Sequence, residues 1–135
     1  MVNDRTFALI VVAFIVLLLL LIVASQPRPV DVDVFSGVGV DIWPSSIDWG
    51  TLSPGDSRNS TLIHVNNTGT RAITLTFNCS GFNPVDAENY MTTTWDYRNQ
   101  TLAVAEVIDV TFTLTVAANI TRITDFRYNV TIYGR

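Results

Sequence analysis

From Ile108 to Val116 every second residue is apolar. Ile108, Val110, Phe112, Leu114 and Val116 alternate with Asp109, Thr111, Thr113 and Thr115. Successive side chains of a strand point to opposite faces, so a period of two places one face in a core and the other in water. Ile73, Leu75, Phe77 and Cys79 repeat the pattern, with Thr74, Thr76 and Asn78 facing out. Phe126, Tyr128, Val130 and Ile132 repeat it again, with Asn129 facing out. Shorter strands are expected at Val30–Phe35, Val38–Trp43, Leu62–Val65 and Tyr90–Trp95. Turn chemistry separates them at Ser53-Pro54-Gly55-Asp56, Asn67-Thr68-Gly69 and Asn83-Pro84. Seven to eight short strands with frequent turns predict an all-β fold over residues 30–135, an antiparallel immunoglobulin-like β-sandwich.

A second feature limits where that domain can sit. Phe7 to Ala24 are eighteen consecutive residues without a charge or a strongly polar group. As a helix they reach about 27 Å, close to the hydrocarbon thickness of a bilayer. The expected order is a cytoplasmic N-terminus at 1–6, a transmembrane helix at 7–25 and a Pro-rich stalk at 26–29. The stalk follows from Gln26-Pro27-Arg28-Pro29, since proline removes a donor and turns its predecessor away from helix. The competing reading is a cleaved signal peptide, for which Val23-Ala24-Ser25 would pass as the cleavage site. The apolar core exceeds the roughly 7–15 residues of such signals, which favours an anchor.

Asn-x-Ser/Thr occurs at Asn59, Asn66, Asn78, Asn99, Asn119 and Asn129, six of the ten asparagines. With Ser and Thr at this frequency, chance gives roughly two such matches to the glycosylation signal. The sequons are therefore read as N-glycosylation sites on a domain outside the cell membrane. A Thr-rich β-protein that forms sequons by accident is the competing reading. Outward parity of Asn78 and Asn129 agrees with the first.

Composition narrows the partners. The net charge is −4, and every basic residue is arginine. An acidic body without a basic stripe is unsuited to nucleic acid. The single cysteine, Cys79, permits no intrachain disulfide. Cys79, His64 and Met91 together suggest a copper site, but such sites need a second histidine, and the chain has one. Cys79 continues an apolar face and is expected as a buried thiol, and His64 as a surface residue. Asp31, Asp33, Asp41, Asp48 and Asp56 offer oxygen ligands, yet no Asp-x-Asp-x-Asp-Gly loop gathers them for calcium. Asp31 and Asp33 suit the polar face of an edge strand. Glu88 and Glu106 form no paired-carboxylate pattern. No Gly-x-Ser-x-Gly accompanies the lone histidine. No catalytic residue, metal ligand or cofactor is assigned. Trp49 and Trp95 are expected in the core, and Trp43, which precedes Pro44, is the candidate partner contact.

The run Ser46-Ile47-Asp48-Trp49-Gly50-Thr51-Leu52-Ser53-Pro54-Gly55, then a strand, then Asn66-Asn67-Thr68-Gly69-Thr70, resembles the opening of many extracellular sandwich modules. With Asn89-Tyr90-Met91, Trp95-Asp96-Tyr97 and Ile120 through Phe126, it is similar to a group of small archaeal envelope proteins. These carry one N-terminal membrane helix and one sandwich domain, and their role is not established. The likeness covers nearly all of residues 42–134, and its motifs are turns and core positions. Val104-Ala105 departs from it, standing where a Pro-Gly turn is expected.

These readings predict a single-pass envelope glycoprotein, not an enzyme, with a structural or protein-interaction role. Its expected partners are membrane lipid around the helix and an envelope or filament protein, including a second copy of itself, with no small-molecule substrate. An accessory subunit of a larger membrane assembly is the alternative, and a pilin-like filament subunit a further one.

Overall fold

A computed structural model describes residues 4–24, 28–120 and 125–135. α1, Asp4–Ala24, is a helix of 21 residues. Among the described residues no helix is long and apolar enough to cross a membrane. The side chains of Phe7 and of residues 18–24 lie outside the described set, although the backbone of α1 runs through them. Gln26 and Pro27 of the expected stalk also lie outside it. The rest of that stalk is strand: Arg28 opposes Leu52 and Pro29 opposes Thr51. Proline is tolerated at the head of a strand, and here the second neighbour begins pairing only at Val30.

Ten strands follow: β1 Arg28–Ser36, β2 Val40–Trp43, β3 Ser46–Leu52, β4 Ser57–Asn59, β5 Ile63–Asn67, β6 Leu75–Asn83, β7 Met91–Trp95, β8 Val107–Val110, β9 Phe112–Val116 and β10 Phe126–Gly134. A short 3-10 helix, Val85–Tyr90, joins β6 to β7. The strands form a four-stranded sheet in the order β3-β1-β10-β6 and two three-stranded sheets, β2-β5-β8 and β4-β9-β7. The fold is mostly β, and the buried faces of all three sheets share one core. Phe112, Leu114, Tyr128, Val130 and Ile132 are almost wholly buried, as their parity predicts.

Four expectations are corrected. The pairing is not purely antiparallel, because β1 and β10 run parallel from Val30↔Phe126 to Ser36↔Ile132. β1 is flanked on both sides, so Asp31 and Asp33 are not on an edge strand. Among the described residues the strand count is ten rather than seven or eight, since β3 and β4 were not expected. β3 hides because a bulge interrupts its alternation: Val30 opposes Gly50 and Asp31 opposes Asp48, leaving Trp49 extra. Gly50 makes this possible with φ +65, a backbone that side chains disfavour. β4 carries no apolar residue, and all three of its positions are exposed.

The fourth correction concerns residues 108–116, which are two strands. β8 pairs with β5, whereas β9 pairs with β4 and β7. The chain changes sheets at Thr111, where side chains replace the ladder. The Thr111 amide donates to Asp96 Oδ1 at 2.8 Å, and the Phe112 amide donates to Ser60 Oγ at 3.0 Å. Parity survives the handover, so Val110 and Phe112 both stay in the core.

The turn at Val104-Ala105 forms without the Pro-Gly pair. The Glu106 amide donates to Ala103 O at 3.1 Å, and Ala105 takes φ +63. Glu106 Oε2 accepts the Ala103 amide at 2.7 Å, which closes the turn from the other side.

Candidate functional site

Strand parity turns β2, β5 and β8 so that Val40, Ile63, Val65 and Val110 face the core. The intervening residues make the outer face. Register sets them in two rows: Trp43, His64 and Asp109, then Asp41, Asn66 and Val107. Trp43 is 69% exposed. Its ring stacks on the His64 imidazole with centroids 5.4 Å apart and planes 14° apart. His64 Nδ1 lies 2.5 Å from Asp109 Oδ1, so the imidazole is held between an aromatic face and a carboxylate. Leu62, just before β5, and Val107 add exposed apolar surface at 54% and 55%.

Asn66 stands beside this row. Its Oδ1 is buried and has no hydrogen-bond partner. The next residue behaves differently. Asn67 is fully buried, and the two hydrogens of its Nδ2 are shared among the carbonyls of Arg71, Leu102 and Ala103 at 2.9, 3.2 and 3.1 Å. Its Oδ1 accepts the Gly69 amide at 3.0 Å. The expected turn at Asn67-Thr68-Gly69 is therefore present, but its first side chain is a buried tie between its own turn and the segment at Leu102-Ala103.

The residues of the copper reading are not brought together. His64 is on the outer face just described. Cys79 and Met91 line a cleft of about 390 Å³ between β6 and β7, with Asn78, Phe82, Glu88, Thr92 and Thr93. Cys79 is half-buried rather than fully buried, because β6 is an edge strand. Burial raises its thiol pKa, against a smaller lowering by the Thr93 hydrogen bond. Such a thiol stays protonated at neutral pH and is a poor nucleophile and a poor metal ligand. Tyr128 donates to or accepts from Thr93 at 2.8 Å, and burial raises its phenol as well.

Three of the acidic residues weighed for calcium hold local backbone. Asp41 Oδ1 accepts from Ile42, Asp48 Oδ1 from Gly50 and Asp56 Oδ2 from Ser53, at 3.0, 2.7 and 2.8 Å. Asp31 and Asp33 lie in register with Asp48 and Ser46 on one side and with Arg127 and Asn129 on the other. Among the described residues no three His, Cys, Asp or Glu side chains gather as a metal site.

Asn59, Asn78, Asn99 and Asn119 are exposed, and Asn66 and Asn129 are half-buried. Thr121, which completes the Asn119 sequon, lies outside the described residues. Asn59 Oδ1 accepts from Thr113 Oγ1 at 2.8 Å. Trp49 is buried, and Trp95 packs edge-on against Phe77 at 4.8 Å. Sequence reasoning singled out Trp43 and His64 separately but missed Asp109 and the register that joins all three. Compared with known proteins, the chain matches no family model and no curated protein.

Proposed function

We propose that this chain is a membrane-anchored glycoprotein of the cell envelope, with an immunoglobulin-like β-sandwich that makes structural contact with another protein. The observation that carries the reading is the outer face of β2-β5-β8. It exposes Trp43, flanked by Leu62 and Val107, on rigid strands rather than on a loop. Elsewhere the outer faces of the strands are mostly polar, with Asp31, Asp33, Asp48, Arg127 and Ser80 on one sheet, where Phe35 at 49% exposure is the exception, and Ser57, Thr92 and Thr115 on another. A large aromatic held in water beside polar groups is the residue type that anchors protein contacts.

Three further features support the reading. The sequence of α1 is apolar from Phe7 to Ala24, the length of a membrane span. β1 begins four residues after α1 ends, which keeps the domain beside the bilayer. Four of the six sequon asparagines are exposed and none is fully buried, which fits a glycosylated outer surface. The resemblance to small archaeal envelope proteins agrees with this arrangement, and the partner class we propose is an envelope or filament protein or a second copy of this chain. The reading assigns no catalysis, cofactor or metal.

A photo-crosslinking residue in place of Leu62, in the full chain in its own membrane, tests the contact. Discrete crosslinked products that fade with Trp43→Ala are expected. Yield no higher than from the same probe at Arg127, an exposed position of β10 in register with Asp31, would refute it. The mass of the native protein tests the rest. A mature N-terminus at Ser25 or Gln26 rules out the anchor, and a mass equal to the bare polypeptide rules out the glycans.

A further inference from the structure

We infer that the first sugar of a glycan on Asn66 lies flat against the Trp43–His64 pair, so that this one sequon is built into the fold. The inference rests on the glycoprotein reading above and identifies what occupies the exposed ring.

Placement comes first. Asn66 and His64 are two residues apart on β5 and face the same side. Trp43 opposes His64 while Asp41 opposes Asn66, which makes Trp43 and Asn66 diagonal neighbours. Such diagonals are separated by about 7–8 Å, within reach of an aromatic side chain and of anything attached to the amide. The ring does not have to be recruited. It is already stacked at 5.4 Å on an imidazole that Asp109 holds from the far side.

The amide itself is arranged for this use. Its oxygen is buried, and among the described residues its nitrogen donates to no protein group. In the N-linkage that nitrogen bonds the anomeric carbon of a sugar delivered as a phosphate ester and gives up one hydrogen as a proton, which the departing phosphate takes. The phosphate leaves with the electron pair of the broken C–O bond. A pyranose then presents its C–H face to the π-face of Trp43 that His64 leaves free. Two other strand sequons also have a diagonal aromatic, Phe35 beside Asn129 and Tyr133 beside Asn78, but among the described residues neither of those rings is stacked on a second ring as Trp43 is. Asn59 opposes Thr113, and Asn78 opposes Thr131. Asn129 lies between Asp33 and Ser80, and its nitrogen is so close to Gly81 that a Cβ there would sit 2.8 Å away. A partner reaching this face therefore meets carbohydrate seated on the rings, bordered by Leu62 and Val107.

The test uses the full chain purified from its own membrane with glycans intact. Glycopeptide mapping reads occupancy at each sequon. Trp43→Ala, Thr68→Ala and the double variant are then compared by thermal unfolding. Thr68→Ala abolishes the Asn66 sequon without touching either ring. Thr68→Ala should lower Tm by about 2–5 °C when Trp43 is present and by much less when it is absent. Trp43→Phe should keep most of the coupling. An occupied Asn66 with no coupling overturns the stack and leaves the glycoprotein reading standing. A bare Asn66 with other sequons occupied overturns the inference alone, and bare sequons throughout overturn both.

Discussion

Asn67 and Trp43 are opposite exceptions to the rule that apolar groups go inside, and they lie on neighbouring strands. Asn67 is polar and fully buried, whereas Trp43 is aromatic and largely exposed. A buried amide is costly unless it is satisfied, and Asn67 bonds four backbone groups. The fold uses that side chain completely. It does not use Trp43, whose one ring contact is with another outer-face residue. An exception that the fold explains is structural, and one that it leaves unexplained is where function is best sought. Removing each in turn separates the two cases.

Phe112→Ala sets the scale of an ordinary core loss. Its ring packs against Phe77 and Trp95, and chemical denaturation should show a loss of about 3–5 kcal/mol. Its neighbour Thr113 faces outward, and Thr113→Ala should cost about 1 kcal/mol or less through the bond to Asn59. Equal losses would mean that the faces of β9 are reversed.

Asn67→Ala should come next, at about 2–4 kcal/mol, because several buried groups lose a partner worth about 1–3 kcal/mol each. Asn67→Asp keeps an acceptor for Gly69 but loses every donated bond, so it should be nearly as damaging. If Asn67→Ala were mild, Asn67 would not be the tie described, and the contrast with Trp43 would collapse.

Ala105→Gly should stabilise the domain by about 0.5–1 kcal/mol, since a left-handed backbone costs an L-residue roughly 1–2 kcal/mol. A loss of stability would mean that Ala105 does not hold that conformation in solution.

Trp43→Ala should change the stability of the deglycosylated protein by under about 0.5 kcal/mol, as for other surface positions. A loss approaching that of Asn67→Ala would show that the fold depends on the ring after all.

What was readable in the sequence follows from period. Ile108 through Val116 and Phe126 through Ile132 announce their faces because alternation is a local signal. β3 was lost because the bulge at Trp49 and Gly50 shifts its parity, and β4 because Ser57, Arg58 and Asn59 carry no apolar signal at all. The burial of Asn67 was illegible for another reason. Two of the carbonyls that satisfy it belong to Leu102 and Ala103, far along the chain. The Trp43–His64–Asp109 row required the register of three strands, which composition does not encode.

The parallel pairing of β1 with β10 has a mechanical consequence. A tug on α1 pulls along β1, the strand nearest to it in the chain. That strand is bonded along its length on both sides, to β3 over Arg28–Asp33 and to β10 over Val30–Ser36. Such a load acts in shear, so the ladders must yield together rather than open one bond at a time. Pulling the domain by residue 28 against residue 135 should give one high-force rupture, whereas stepwise yielding would contradict the shear geometry. A domain tethered through α1 and strained against a neighbour would thus meet the force at the strand best placed to resist it.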